Sequence, residues 1–175
     1  MERAMSLLFH HPLCPHSRFI RLALAEYGVD ADLFEEKVHE RREDFLLIDP
    51  AGRTPVLIDD GGLVVPGAGP IAEWLDEAYG PIAPAARLMP ADIAERVETR
   101  RLMDWFNQKM FAEVTDWLVT QKVYKRFMPS HAGGGAPDMA LVRAARANIK
   151  YHLSYIGFLV SERNWLAGPR LTFAD

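Results

Sequence analysis

Asp49-Pro50-Ala51-Gly52-Arg53-Thr54-Pro55-Val56-Leu57 decides how this chain folds. Asp-Pro followed by a glycine breaks any element that precedes it, and Thr54-Pro55-Val56-Leu57-Ile58 then reads as a strand opened by a proline. Downstream, Asp60-Gly61-Gly62 predicts a hairpin turn and Leu63-Val64-Val65 its return strand. Pro70 then opens a helix, Ile71-Ala72-Glu73-Trp74-Leu75-Asp76-Glu77-Ala78-Tyr79, which Gly80-Pro81 ends. Upstream, Arg41 to Ile48 reads as a short charged helix, preceded by a strand around Asp32 to Glu36. The segment Ser17 to Tyr27 has helical spacing and stops at Gly28, where a left-handed C-cap fits. Before it lies a short apolar strand, Ser6-Leu7-Leu8-Phe9-His10. The order is therefore strand, helix, strand, helix, hairpin, helix. Residues 81–90 are rich in proline and read as a linker. Beyond them the pattern is helical only, from about Ile93 to Tyr124 and, after Gly133-Gly134-Gly135, from Met139 to Arg163.

Composition sets the outer bounds. The chain has 175 residues, 49% of them apolar, with both signs of charge well represented, which is ample for a packed core and excludes a disordered or fibrous protein. No run of 18 apolar residues occurs, and Met1-Glu2-Arg3-Ala4 has no apolar stretch of leader length behind it, so a cytoplasmic location without membrane insertion is the expectation. The single cysteine excludes a disulfide scaffold, and the six histidines show no metal-ligand spacing; His10-His11 reads as a strand end. Residues 1–80 hold 7 basic and 15 acidic side chains, a net −8, whereas residues 81–175 hold 13 and 9, a net +4. Two chemically different domains fit that split, the basic one suited to an acidic protein surface. No glycine-rich phosphate loop occurs and the aromatics are spaced for helix packing, so no nucleic-acid partner is expected.

The lone thiol, Cys14, stands where the first strand gives way to the first helix. Unpaired N–H groups and the macrodipole at a helix start favour an anion, so a thiolate is stabilised there. The local order is Cys14-Pro15-His16-Ser17, with a hydroxyl where a C-x-x-C partner would stand. A working Cys14 must attack an external sulfur or electrophile, with a small thiol completing the cycle and His16 or Ser17 tuning it. The alternative is a half-buried cysteine serving as a small apolar residue.

The strand order, the proline that opens the third strand and the helical second half together resemble the glutathione S-transferase superfamily: a thioredoxin-like α/β domain (residues 1–80), a linker (81–90) and an all-α domain (91–175). The fragments that carry the resemblance are Asp49 to Leu57 and Ile71-Ala72-Glu73-Trp74-Leu75. It implies that Pro55 is cis and that Thr54 offers backbone groups to the cysteinyl part of glutathione. It also implies a homodimer. Leu171-Thr172-Phe173-Ala174-Asp175 matches the capping box that starts a later helix of the family, Thr172 capping and Asp175 answering, so the domain is expected to continue past Asp175. Aligned on Arg21-Leu22-Ala23-Leu24, Cys14 falls on the nucleophile of the cysteine-type, omega-like classes, which implies thiol transfer rather than conjugation.

The resemblance breaks at the second glutathione contact. The family's Glu/Gln-Ser pair, which grips the γ-glutamyl end, falls on Gly67 and Ala68, so the serine hydroxyl is missing. A hydrogen bond to a charged group is worth roughly 1.5–3 kcal/mol, so its loss weakens binding by about 10- to 150-fold. Backbone N–H groups at the start of the following helix can still attract a carboxylate. Thr54, Pro55, Gly67 and Ala68 thus form a degenerate glutathione site, with glutathione a weak ligand or cosubstrate rather than a required cofactor.

Phe9-His10-His11-Pro12-Leu13, Pro66-Gly67-Ala68-Gly69, Asp104 to Thr115, Lys122 to Pro129 and Arg143 to Leu153 resemble a narrower group, the alphaproteobacterial members of the superfamily that bind the tubulin-like division protein FtsZ. That resemblance implies a protein-binding module. Lys122, Lys125, Arg126, Arg143, Arg146 and Lys150 would supply a basic surface for FtsZ or another acidic partner, with the charged segment Val38 to Asp44 as a second contact. In the competing transferase reading, aromatics from Trp105 to Phe127 partly line a pocket for an apolar substrate. Trp117, Tyr124 and Phe127 share a helical stripe, which favours packing instead.

Overall fold

The computed structural model describes residues 6–175, and Met1 to Ala4, read above as lacking a leader, lie outside them. The chain divides between Met89 and Pro90 into two compact units.

In the first unit, β1 (Ser6–His10) leads into α1 (Pro15–Glu26), then β2 (Ala31–Glu35), a 3-10 turn (Val38–Glu40) and α2 (Glu43–Ile48). β3 (Val56–Ile58), β4 (Val64–Pro66) and α3 (Ala68–Tyr79) complete it. The sheet has the order β2-β1-β3-β4, with β1 parallel to β2 and antiparallel to β3, and β3 antiparallel to β4. This is the expected thioredoxin-like arrangement, every expected element within a few residues of its expected place. Strand alternation separates two apolar layers. Leu7, Phe9, Val56 and Ile58 meet Phe45 and Ile48 of α2, while the paired Leu8 and Leu57 are fully buried, as are Ile20 of α1 and Ile71 and Leu75 of α3.

The turn from Asp49 to Arg53 is held by its first residue. The Asp49 carboxylate accepts from the N–H groups of Ala51 and Arg53, both at 3.2 Å. Gly52 has φ +61°, a left-handed conformation that favours glycine, and a Cβ there would also press on Leu46 Cδ2 at 2.9 Å, which that side chain could relieve by moving. The Thr54-Pro55 bond is cis, as the resemblance implied.

Residues 81–90 are structured rather than slack. Leu88 and Met89 are buried, Leu88 N–H donates to Tyr27 Oη at 3.0 Å, and Arg87 forms a two-pronged ion pair with the buried Asp76 at 2.7 and 2.8 Å.

The second unit is helical. α4 (Ile93–Asp104), capped by the Asp92 carboxylate, continues without a break to residue 127. The path is a π-helical stretch (Trp105–Thr115), α5 (Asp116–Val119), a second π-helical stretch (Thr120–Tyr124) and α6 (Lys125–Phe127). The wider π turns change the angular phase of the residues they contain. Phe127 consequently leaves the expected stripe: it is 72% exposed, whereas Trp117 and Tyr124 are half-buried. α7 (Met139–Glu162) runs back alongside, capped by Asp138, whose own N–H donates to the buried Gln121 side chain. A Cβ on Gly134 would lie 1.8 Å from the Met128 carbonyl oxygen, so the glycine loop makes an approach no other residue permits.

His152 is fully buried where α7 meets the π-helical stretch. Trp105 Nε1–H donates to its Nδ1 at 3.0 Å, so Nε2 carries the proton and donates to Glu113 at 3.1 Å. Trp105 also lies against Tyr155, and Phe106 packs on Leu102, Leu159, Ala167 and Ala174. At the end of the chain Thr172 and Asp175 form the expected reciprocal cap: the carboxylate accepts from Thr172 N–H at 2.9 Å, and Thr172 Oγ1 accepts from Ala174 N–H at 3.2 Å.

Candidate functional site

Sheet topology gathers the first-unit candidates at one edge. β1 ends at His10, and β3 runs against it with Val56 opposite Phe9, so Thr54 and Pro55 stand at that same end. β4 reverses again and places Pro66 opposite Val56, delivering Gly67 and Ala68 beside them. Gly67 N–H donates to the Pro55 carbonyl at 2.9 Å. The structure thus brings Cys14, His16, Ser17, Thr54, Pro55, Gly67 and Ala68 to one end of the sheet, though they are scattered over 55 positions of sequence.

Cys14 is the N-cap of α1, in an extended conformation (φ −87°, ψ 115°) with Pro15 as the first helical residue. Proline suits that place because its missing N–H has no intrahelical partner there anyway. The thiol is half-buried and donates to the Thr54 carbonyl at 3.5 Å, with His16 Nδ1 4.0 Å from Sγ. Ser17 is fully buried, and its hydroxyl oxygen accepts from His11 N–H at 3.2 Å, which leaves the hydroxyl proton for the sulfur. Burial pushes the Cys14 thiol up, but hydrogen bonds from His16, from the side chain and backbone of Ser17 and from the Thr54 side chain outweigh it and bring the thiol down to about 7 from an ordinary 9.0. At neutral pH about half of the cysteine is a thiolate. The arrangement can carry out nucleophilic attack on a disulfide or another soft electrophile.

Sequence reading missed His11, whose Nδ1 accepts from Leu13 N–H at 3.2 Å and whose carbonyl accepts from Cys14 N–H at 3.0 Å. The signal was an i, i+2 spacing that a polar side chain closes in Asx-type turns, here made by an imidazole.

At the other half of the site, Gly67 (φ +91°) precedes α3 and caps it with no side chain. The N–H groups of Ala68 and Gly69 occupy the first turn, where α-helical geometry offers no internal acceptor, and Pro70 has no N–H to give. An anion here meets two backbone donors and a positive dipole end, without a hydroxyl.

The basic residues lie in the second unit. Lys122, Lys125 and Arg126 occupy the last turns of the 93–127 helix, and Arg143, Arg146 and Lys150 follow i, i+3, i+7 spacing along one side of α7. All are exposed except the half-buried Lys125, and none has an ion-pair partner among the described residues. The segment Val38 to Asp44 is less available: Arg42 holds the buried Glu36 at 2.7 Å and lies over the Phe34 ring at 5.3 Å. Among the described residues no cluster of three histidine, cysteine or acidic side chains could hold a metal, and no helix is long and apolar enough to cross a membrane.

Comparison with known proteins agrees with this geometry. Residues 8–84 match the family model for the glutathione S-transferase N-terminal domain. FtsZ-localized protein A of Caulobacter vibrioides is 36% identical over 171 residues, covering 96% of this chain and 72% of that protein. Among solved structures, a glutathione S-transferase from Sinorhizobium meliloti 1021 superposes with a TM-score of 0.93 at 45% identity, covering 97% of this chain and 74% of the other. FzlA from C. crescentus does so with a TM-score of 0.88 at 35% identity, covering 97% and 73%. With its cis Thr54-Pro55 bond, its thiol at the start of α1 and these similarities over nearly its whole length, the chain belongs to the glutathione S-transferase superfamily.

Proposed function

We propose that this protein is an FtsZ-associated regulator of bacterial cell division, a transferase scaffold reused as a protein-binding module. The observation that carries the reading is the 36% identity, over 96% of the chain, to a protein named for its localisation to FtsZ. The absent hydroxyl at Gly67 and Ala68 supports it from the chemistry, because a weakened γ-glutamyl grip fits a protein that has no need of glutathione. The partner face is Lys122, Lys125 and Arg126 together with Arg143, Arg146 and Lys150. Six cations without ion-pair partners among the described residues suit an acidic filament surface or tail. The protein works in the cytoplasm as a homodimer, and glutathione is at most a weak ligand.

One observation favours a second reading. A thiol brought to about 7 beside the Thr54 backbone is a competent nucleophile, which fits a cysteine-type thiol transferase using Cys14, tuned by His16 and Ser17. Titration calorimetry of glutathione into the intact protein under reducing conditions, with Cys14→Ala as control, separates the two. No heat up to several millimolar supports the binding module. Stoichiometric binding below a millimolar overturns the degenerate-site argument and favours the transferase.

A further inference from the structure

We propose that His11 is the positioning residue of the Cys14 thiol, and that its protonation releases the turn that holds the sulfur in place. Three hydrogen bonds tie this one residue to the site: its N–H donates to Ser17 Oγ at 3.2 Å, its carbonyl accepts from Cys14 N–H at 3.0 Å, and its ring Nδ1 accepts from Leu13 N–H at 3.2 Å. The last requires an unprotonated Nδ1. In the imidazolium both ring nitrogens are donors, so Nδ1–H would face Leu13 N–H and the turn would lose its closure. That turn sets the extended backbone of Cys14, from which the sulfur reaches the Thr54 carbonyl and His16.

The surroundings decide when the switch operates. His11 is buried (8% exposed), and burial lowers its pKa from 6.5; Glu35 on β2 opposes the shift, while His39 on the 3-10 turn adds to it. His10, the preceding residue, is also buried beside it. The clamp is therefore closed at neutral pH and opens on the acid side of 6.5, where His11 gains a proton. The inference is independent of whether the protein binds FtsZ or turns over glutathione, because it concerns only how the thiol is held.

Cys14 is the only cysteine, so a single alkylation adduct reports on it without ambiguity. The test is the rate of iodoacetamide alkylation from pH 5 to 9 for the wild type, His11→Ala and His11→Asn, the last because an Asn Oδ1 can accept from the i+2 N–H without titrating. In the wild type, the slope of log rate against pH should rise above one across the His11 transition, adding a drop of about 3- to 10-fold to the fall expected from loss of the thiolate alone. His11→Ala should lose about 3- to 10-fold in rate at pH 7, the equivalent of one hydrogen bond. His11→Asn should restore most of that loss and lack the added drop on the acid side; His16 is present in all three proteins, so its contribution cancels in the comparison. An Ala profile that matches wild type throughout, or an Asn profile that keeps the steep acid limb, overturns the proposal. If His11→Ala does not fold, the wild-type and Asn profiles decide alone.

Discussion

Replacing Ser17 by alanine should silence much of the Cys14 thiolate at neutral pH. A thiol at its ordinary 9.0 is about 1% ionised at pH 7, whereas one at about 7 is half ionised, so the site enriches the thiolate about 50-fold. Ser17 contributes both its side chain and its backbone N–H, and the substitution removes only the first. A hydrogen bond to a charged acceptor is worth at least about 1.5 kcal/mol, or about one pKa unit. The thiol of Ser17→Ala should then titrate near 8, with the thiolate fraction at pH 7 reduced about fivefold. Ultraviolet thiolate absorbance against pH is the right assay, because alkylation rate also reflects the fall in intrinsic nucleophilicity that accompanies a lower pKa. Circular dichroism would establish that the variant folds, since Ser17 is fully buried and also accepts from His11. A wild-type midpoint close to 9, or an unmoved midpoint in folded Ser17→Ala, would refute the hydrogen-bond account of this thiol.

Ala68→Ser should return a hydroxyl to the start of α3 and tighten glutathione binding by about 10- to 150-fold, read by calorimetry; no gain would mean that the missing hydroxyl is not what limits the site. Arg87→Ala removes the counter-ion of Asp76, whose side chain is 2% exposed and keeps only the Tyr27 hydroxyl as a partner among the described residues, and should cost up to about 3–5 kcal/mol in urea unfolding, while a paired Asp76→Asn, Arg87→Met change should cost less. In the second unit, hydrogen bonding to Arg101, aided by Arg163, holds the Glu98 carboxyl at about 2 instead of 4.5 despite the opposing effect of burial. A depressed carboxyl stabilises the fold above its unfolded pKa, so that stability should drain away as pH falls from about 4.5 to about 2. The loss is at most about 3 kcal/mol, and less because Arg101 is 42% exposed to screening solvent. Glu98→Gln should flatten that acid limb in denaturant titrations, and an unchanged limb would assign it to other carboxylates.

Much of the first unit was legible because its punctuation is local. Asp49-Pro50-Ala51-Gly52, Gly28 and Gly62 of the hairpin each mark a backbone conformation that few other residues adopt, and the apolar pattern between them has the period of the element it forms. The neighbourhood of Cys14, His16 and Ser17 was legible for the same reason. α3 begins two residues before Pro70, at Ala68, because proline is tolerated anywhere in a first turn whose N–H groups have no acceptor. The π-helical stretches carry no such marks. Residues Thr120 to Tyr124, which lie between Trp117 and Phe127, have ordinary helical composition, and i→i+5 bonding shifts phase without a glycine or proline, which is why Phe127 was misplaced on a packing stripe. Nor does sequence show that His11 closes the Cys14 turn or that His152 is buried between Trp105 and Glu113, since both depend on partners that only the folded chain supplies.

The reading of the chain as a division-associated binding module is tested most directly by co-sedimentation of the purified protein with FtsZ filaments assembled with GTP, alongside a variant with Arg143, Arg146 and Lys150 changed to glutamate. The account predicts that the wild type pellets with the filaments in a salt-sensitive manner and that the variant stays largely in the supernatant. Wild-type protein that remains in the supernatant at low salt would contradict it.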